Sequence, residues 1–361
     1  MNDSMSIYKP DWEESQQRMT EWWAGKKVDR AIVSIKAPKT KKIQTIYNGR
    51  VPDKYIDFDT VFNNLDHYLQ NTFFGGEAFP RHYVYFGPMF INTVLFGTEP
   101  VFETETTWYE PCYDNIDELL ECEFDIENNK WWQLIQEMTK RSVDRSGGSY
   151  LTIDSSVCSF IDSIAALIGN EKALIAMALE PEKVKVARDR LAAYGKLTYN
   201  KIHSLTRKYG FGSIDGMNVW CPETIRTAQC DLSVMISPDM FNDLVMDDLK
   251  STYEYVENGI YHLDGEGEIQ HLDSLFTIDK IKIIQWMPSP KISQDPVDWI
   301  PLFRRIQESG RIVFIESLEK YHTSVVEVLN KIDRNKVFFN INCPDEETAR
   351  QLLRDVEKVG K

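Results

Sequence analysis

The sequence predicts an α/β fold, namely a single (β/α)8 barrel domain over residues 1–361, with a helical extension at 1–30 and an inserted acidic segment at 98–149. Short apolar, β-branched runs alternate with helical patterns along the chain, which is typical of parallel strands joined by helices. Eight such runs occur, the number that closes a barrel. No G-x-G-x-x-G motif follows the first run, so an open nucleotide-binding sheet is disfavoured.

The eight predicted strands share a core of Ile, Val, Phe or Tyr. They are AIVSIKAP (31–38), RHYVYFG (81–87), YLTIDSS (150–156), FGSIDGMNVW (211–220), GIYHLDG (259–265), IKIIQWMPS (281–289), RIVFIES (311–317) and KVFFNINC (336–343).

Three helices have recognisable ends or faces between these strands. One begins at the N-cap Ser237 with Pro238 in its first turn and extends to Gly259. A second covers residues 181–210, and the last follows Pro344 with an apolar face. The segment 98–149 is rich in Glu, Asp and Trp and is predicted to be a helical insertion.

Composition excludes several classes of protein. A formal net charge of −15 with scattered basic residues argues against binding to nucleic acid or an anionic membrane surface. No apolar run approaches the roughly 20 residues of a membrane span, and MNDSMSIYKPDWEESQQ lacks a signal-peptide core, so a cytoplasmic location is expected. The six cysteines form no C-x-x-C pair, which indicates reduced thiols and requires any metal site to use distant residues.

The segment YHLDGEGEIQHLD carries the first candidate site. His262 and Asp264 lie two residues apart in the fifth predicted strand, so both side chains point to the same face. Gly265 and Gly267 allow close approach of the backbone. The pair suits a partial metal site or an acid–base site, or Asp264 simply holds His262 at a barrel rim. The second triplet, His271 and Asp273, falls in the following helix and is left out.

Cys343 ends the eighth predicted strand and is expected to face the same mouth of the barrel. Together with His262 and Asp264 it would offer nitrogen, oxygen and sulfur donors to Zn²⁺ and leave one coordination position open. A small apolar core residue is the alternative interpretation of this cysteine.

Other strand ends contribute polar and aromatic side chains, because the chemistry of such barrels sits where strands enter the loops before their helices. Structural roles, such as bonding loop amides or packing in the core, remain open for each of them. The predicted catalytic residues are Asp231, Asp264 and Glu316, and the predicted substrate-binding residues are Lys36, Glu77, Asp154, Trp220 and Trp286.

Five segments resemble the uroporphyrinogen decarboxylase superfamily. This superfamily also contains methylcobamide:coenzyme M methyltransferases and, more remotely, cobalamin-independent methionine synthase. The similarity runs from about Trp22 to the end of the chain. The segments are DRAIVSIKAP, IDSIAALIGNEKALIAMALEPEKV, QCDLSVMISPDMF, YHLDGEGEIQHLD and IIQWMPS.

The methyltransferase branch implies a zinc site written His-x-Cys on the fifth strand with a second Cys on the eighth. His262 and Cys343 match two of these ligands, whereas Asp264 stands in place of the first cysteine. Zinc in this branch activates a thiol as thiolate for methyl transfer, and the resemblance implies a corrinoid carried by a partner protein that docks at the mouth.

The decarboxylase branch implies an arginine-rich first strand that grips an acidic substrate. The equivalent stretch here is SIKAPK, with Lys36 and Lys39 and no such motif. The sequence therefore favours a corrinoid-linked, metal-assisted methyltransferase acting on a small molecule. One alternative is a cofactor-independent decarboxylase of a porphyrinogen or other polyacid that uses Asp231 and Asp264. Another is a catalytically silent binding protein on the same barrel. A homodimer is compatible with any of these.

Overall fold

A curved sheet organises the chain in the computed structural model, which describes residues 3–39, 49–87, 89–104, 106–153 and 159–359. The strands are β1 Ile32–Pro38, β2 Thr72–Gly76, β3 Arg81–His82, β4 Pro100–Phe102, β5 Thr107–Tyr109, β6 Leu151–Thr152, β7 Ser213–Ile214, β8 Trp220–Cys221, β9 Ile225–Ala228, β10 Asn258–Asp264, β11 Ile281–Met287, β12 Ile312–Ser317 and β13 Val337–Asn342.

Helices lie between most of these strands. The α-helices are α1 Trp12–Trp23, α2 Asp53–Ile56, α3 Phe58–Asn71, α4 Ile91–Val94, α5 Ile116–Glu121, α6 Lys130–Ser146, α7 Phe160–Ile168, α8 Asn170–Leu179, α9 Pro181–Thr206, α10 Pro238–Met240, α11 Met246–Tyr253, α12 Leu272–Leu275, α13 Ile300–Glu308, α14 Ser324–Leu329 and α15 Glu346–Val356. Within the described ranges none of them is long and apolar enough to cross a membrane.

Seven strands form one hydrogen-bonded sheet in the order β2-β1-β13-β12-β11-β10-β9. All neighbours are parallel except β1 and β2, which pair antiparallel. The four strands predicted from Gly259 to Cys343 are therefore adjacent in space and in sequence order. Their carboxyl ends meet at one edge of the sheet.

A closed ring of eight strands is not found among the described residues. The predicted second and third strands shorten to β3 and β6, which pair only with each other, and the predicted fourth strand folds as the β7–β8 hairpin. Their side chains still share the apolar cluster of the main sheet's inner face, which joins Leu151 and Ile214 to Ile283 and Phe314. The architecture is thus a mixed α/β fold with a curved, mainly parallel sheet.

The two faces of the sheet have separate apolar cores, because side chains alternate along a strand. The inner cluster includes Ile260 and Phe338. The outer cluster includes Leu263 and Phe339 and packs against the helices. Hence Ile260, His262 and Asp264 share one face of β10. Residues of β13 alternate in the same way between the inner and the outer face of the sheet.

Helix α1 covers the amino-terminal end of the sheet. Its buried residues Trp12, Met19 and Trp22 join the inner apolar cluster. The Trp22 Nε1–H donates to the Asn335 carbonyl just before β13, at 2.9 Å. Because this end is covered, the carboxyl end is the place to look for a site.

Helix boundaries agree with several sequence predictions. Ser237 caps α10 by accepting from the Met240 amide at 3.2 Å, as predicted. The predicted helix does not reach Gly259, because α11 ends at Tyr253 and Gly259 pairs in β10. A π-helical turn at Phe241–Val245 separates α10 from α11. Segment 98–149 contains the β4–β5 hairpin besides α5 and α6. The Ser142 hydroxyl of α6 contacts His82 of β3 and Thr152 of β6, at 2.7 and 2.8 Å.

Candidate active site

A hydrogen-bonded row of polar side chains crosses four neighbouring strands near the carboxyl end of the sheet's inner face. We call His262, Gln285, Glu316 and Asn340 the polar row. His262 on β10 is paired in register with Gln285 on β11, and Glu316 on β12 with Asn340 on β13. The His262 Nδ1 meets the Gln285 Oε1, the Gln285 Nε2 donates to Glu316 at 3.2 Å, and the Asn340 Nδ2 donates to the other Glu316 oxygen at 3.1 Å.

The chemistry of these groups fixes the direction of each hydrogen bond. A carboxylate only accepts, so the amide nitrogen of Gln285 must face Glu316. The Gln285 carbonyl then faces His262, and the His262 Nδ1 must carry the proton. When neutral, the imidazole therefore presents its Nε2 lone pair away from the row. That nitrogen lies 3.9 Å from the Asp264 Oδ2, at the carboxyl end of β10.

Lys36 on β1 lies two residues nearer the carboxyl end of the sheet than this row, because it is in register with Asn342 whereas Ser34 is opposite Asn340. Burial, together with the nearby Arg81 guanidinium, lowers the pKa of Lys36 to about 7, and only Glu316 opposes this change. The charged and neutral amine are thus both populated near neutral pH. Such a lysine can either bind an anion or exchange a proton.

A cavity of about 640 Å³ opens beside Lys36 at this end of the molecule. Strands β1, β3 and β13 contribute Lys36, Arg81 and Asn342 to its wall, and α3 forms the opposite side. From α3 come Val61, Asn64, Leu65, His67 and Tyr68. Its size accommodates a small organic molecule.

Asp231 and Asp264 also belong to this end of the sheet, as predicted from the sequence. Asp231 is exposed to solvent, and protein atoms crowd its carboxyl group on the side that faces the sheet end. This crowding, with the Asp162 and Asp264 carboxylates, raises the pKa of Asp231 to about 7. The Gln229 Nε2 donates to the Asp231 Oδ1 at 2.9 Å. Asp231 is a carboxyl group that can change its protonation near neutral pH.

A buried acid behind the strand end holds Asp264 in place. The carboxyl group of Glu268 accepts from the Tyr261 hydroxyl and from the Asp264 amide, each at 3.3 Å. Burial and the Asp231 charge raise the pKa of Glu268 well above its ordinary value. Glu268 thus links the loop after β10 to the core beneath it.

The structure does not bring the three predicted metal ligands together. Cys343 follows β13 on the alternate face from Asn340 and Asn342, and it belongs to the outer apolar cluster while its edge reaches the cavity. Burial, with Asp345 and Glu319 nearby, raises the pKa of this thiol to about 12. In the part of the chain that the structure describes, no three His, Cys, Asp or Glu side chains form a group able to hold a metal ion. The donor set of His262, Asp264 and Cys343 therefore does not fit the zinc implied by the resemblance.

Trp220 and Trp286, which were predicted to bind the substrate, lie in the apolar cores of the protein. Trp220 packs edge-on against Trp12 at 5.9 Å in the inner cluster, near the covered amino-terminal end. Trp286 belongs to the outer cluster and packs against Trp299 at 4.7 Å. Neither side chain borders the cavity beside Lys36, because each is enclosed by aromatic neighbours.

Glu77 is also placed away from the predicted mouth. Strand β2 runs antiparallel to β1 and delivers Glu77 to the amino-terminal end of the sheet. There it is fully buried and binds Arg30 at 2.7 and 2.8 Å, Arg18 at 2.9 Å and the Val33 amide at 3.0 Å. These contacts give Glu77 a structural role, as the partner of Arg30 and Arg18 in a buried ion pair. The predicted Asp154 lies outside the described residues.

Sequence reasoning missed Gln285, Asn340 and Arg81. A signal for the first two exists in the strands themselves, since each interrupts a buried apolar run at an inward position of the two-residue period. Glu316, predicted to be catalytic, has both oxygens occupied by amides, so the structure gives it a positioning role.

Comparisons with known proteins bear on the fold. No family model matches the sequence, and no curated protein matches it. A solved structure described as a methyltransferase from Methanosarcina mazei matches with a TM-score of 0.63 and 10% identity, covering 95% of this chain and 98% of that chain. A B12-independent methionine synthase from Shewanella sp. W3-18-1 in complex with selenomethionine matches with a TM-score of only 0.36 and 12% identity, covering 61% and 64%.

At 10% identity, the Methanosarcina comparison shows a shared fold over nearly the whole chain and nothing finer. This agrees with the fold that the resemblance in the sequence implies, and it shows the fold alone.

Proposed function

We propose that this chain is a methyltransferase that transfers a methyl group to a small-molecule acceptor, with His262 as the base that removes the acceptor's proton. The observation that carries this proposal is the polar row, whose hydrogen bonds put the proton on the His262 Nδ1 and leave Nε2, 3.9 Å from the Asp264 Oδ2, as the basic nitrogen. The shared fold with a Methanosarcina methyltransferase supports the reaction class. We also propose that the main sheet and the short strands around its inner core together form a (β/α)8 barrel.

The proposed step needs a proton acceptor because a thiol is a weak nucleophile until it loses its proton. As the bond forms between the acceptor's sulfur and the methyl carbon, the bond from that carbon to the donor breaks. The acceptor's proton passes to the His262 Nε2, and the positive charge that develops on the imidazole faces the Asp264 carboxylate. A base so placed contributes roughly 10²- to 10⁴-fold to the rate.

We propose a corrinoid carried by a partner protein as the source of the methyl group, as the superfamily resemblance implies. When bound, it would supply a methyl group open to attack at carbon. The side chains of this chain would bind the acceptor, orient it and take its proton. No step of this proposal passes through zinc.

The expected result for His262→Gln is a loss of methyl transfer of roughly 10²- to 10⁴-fold, because glutamine cannot accept the proton. The assay follows demethylation of free methylcobalamin by absorbance, with 3-mercaptopropionate or 2-mercaptoethanol as the acceptor. His322→Gln is the matched control, since His322 is only partly buried and its side chain bonds only the Glu319 carbonyl among the described residues. An unchanged rate in His262→Gln, or no transfer to any thiol in wild type, would contradict the proposal.

One observation favours a second function, decarboxylation of a small acid. Lys36, with a pKa of about 7, could donate a proton to the carbon from which CO₂ departs, while Arg81 retains the substrate. In this reaction the bond from carbon to the carboxylate breaks, CO₂ leaves, and a C–H bond forms with the proton of Lys36. Release of CO₂ from citrate or uroporphyrinogen III, with no methylcobalamin present, would distinguish it from methyl transfer.

A further inference from the structure

Two cations, Lys36 and Arg81, share the wall of the cavity, and the carboxylate among its described lining residues, Glu319, forms an ion pair with neither of them. Lys36 and Arg81 are close enough for Arg81 to lower the pKa of Lys36. Within the described residues neither side chain forms an ion pair, although this chain has 56 acidic residues and a net charge of −15. Two neighbouring positive charges repel each other, so their presence side by side is costly unless an anion comes between them.

Two polar atoms from the opposite wall point to the same conclusion. The Tyr68 hydroxyl and the Asn64 side-chain oxygen are buried and have no hydrogen-bond partner among the described residues. Both residues line the cavity, and they lie one turn apart on α3, so they share a face of that helix. Buried polar groups are normally paired, which makes these two atoms candidates for contact with a bound molecule.

We propose that this cavity binds the carboxylate of a small organic acid between Lys36 and Arg81, with Tyr68 and Asn64 as polar partners on α3. The planar guanidinium of Arg81 suits the two oxygens of a carboxylate, and Lys36 adds a second charge. Tyr68 can donate its hydroxyl proton to the anion. The amide of Asn64 can accept from, or donate to, a polar group on the rest of the molecule.

The charge of the site favours a monoanion. With the amine of Lys36 only partly charged near neutral pH, Lys36 and Arg81 together carry between one and two positive charges. The Glu319 carboxylate in the cavity wall offsets part of this charge, His67 also lines the cavity, and burial lowers the pKa of His82 to about 3, so His82 stays neutral. Binding of the anion stabilises the charged amine, so the bound state takes up a proton at pH values above the pKa of Lys36. The anion site goes beyond the proposed function and does not depend on it, because His262 is not among the described residues that line the cavity.

The test uses benzoate and its neutral counterpart benzamide, titrated calorimetrically into the full-length protein. Benzoate stays ionised from pH 6 to 9, so any change in its affinity reports on the protein. We expect saturable binding of benzoate and none of benzamide. Arg81→Gln and Lys36→Gln should each weaken the binding of benzoate at pH 6 at least ten-fold. Arg305→Gln, which removes an exposed arginine paired with Asp273, is the control and should bind as wild type.

The pH profile gives an independent readout that a damaged fold would not mimic. From pH 6 to pH 9 the affinity of wild type should fall about ten-fold as the amine of Lys36 loses its charge, whereas Lys36→Arg should bind equally at both. Equal affinity for benzamide, unaffected binding in Arg81→Gln, or a pH profile unchanged by Lys36→Arg would overturn the proposal. Tighter binding of inorganic phosphate than of benzoate would overturn the assignment to a carboxylate.

These outcomes are separable from those of the methyl-transfer assay. Binding of benzoate that depends on Lys36 and Arg81, with no methyl transfer to any thiol, would support the anion site and reject the proposed reaction. Methyl transfer with no preference for 3-mercaptopropionate over 2-mercaptoethanol, and no binding of benzoate, would do the reverse.

Discussion

Replacement of Glu77 by alanine should lower the free energy of unfolding by about 3–5 kcal/mol, because it leaves buried arginine charge without its partner. The Glu77 carboxylate is fully buried and binds Arg30 through two nitrogens and Arg18 through one. The Arg30 side chain is only 8% exposed, so water cannot replace the lost carboxylate. Arg18 retains Asp29, at 2.6 Å, and suffers less.

Urea unfolding at pH 7, with the slope and midpoint fitted together, measures this effect. Glu327→Ala is the control, since Glu327 pairs with Lys331 at 2.6 Å on the surface, where such pairs contribute at most about 1 kcal/mol. Glu77→Gln should fall between the two, because it keeps the shape and loses the charge. Wild-type stability in Glu77→Ala would return Glu77 to the role of a ligand-binding residue.

The second large effect has the opposite sign: Lys36→Met should stabilise the protein below pH 7. The folded pKa of Lys36, about 7, lies below the ordinary value of 10.5. The unfolded chain therefore binds more protons between pH 7 and 10.5, so the lysine's cost to the wild type is complete below pH 7 and disappears as the pH rises towards 10.5. Allowing for the partial exposure of Lys36, we expect a gain of roughly 2–4 kcal/mol at pH 6.

Urea midpoints at pH 6 and pH 9.5, in buffers without carboxylates, measure the predicted gain. The advantage of the methionine variant should shrink between the first and the second pH. Lys331→Met, at an exposed lysine, should show no such dependence. A variant less stable than wild type at pH 6 would mean that Lys36 has a compensating partner. Lys36→Met should also bind benzoate poorly, so that Lys36 would lower stability in the wild type while contributing to binding.

The sequence predicted the strands of the site well, because β10 to β13 are buried apolar runs separated by recognisable helices. It also selected Lys36, His262 and Glu316, which the structure brings to the same end of the sheet. The link between them was not predicted. Gln285 and Asn340 are uncharged amides, and their importance arises from register between strands rather than from residue type.

The position of Cys343 follows from the phase of the two-residue period. The run KVFFNINC places Asn340 and Asn342 on one face, so the residue after them belongs to the other. Glu77 could not have been placed in the same way. Its arginine partners lie 47 and 59 residues away, and the antiparallel direction of β2 follows from tertiary pairing that the local sequence does not encode.

The identity of the protonated nitrogen of His262 tests the central claim most directly. In ¹⁵N-histidine-labelled protein at pH 8, the resonances of His262 are assigned by their loss in His262→Gln. We predict that Nδ1 carries the proton and Nε2 does not, and that Gln285→Leu, which removes the acceptor, abolishes this preference. A proton on Nε2 in the wild type would contradict the account, since His262 would then have no free base to offer the acceptor.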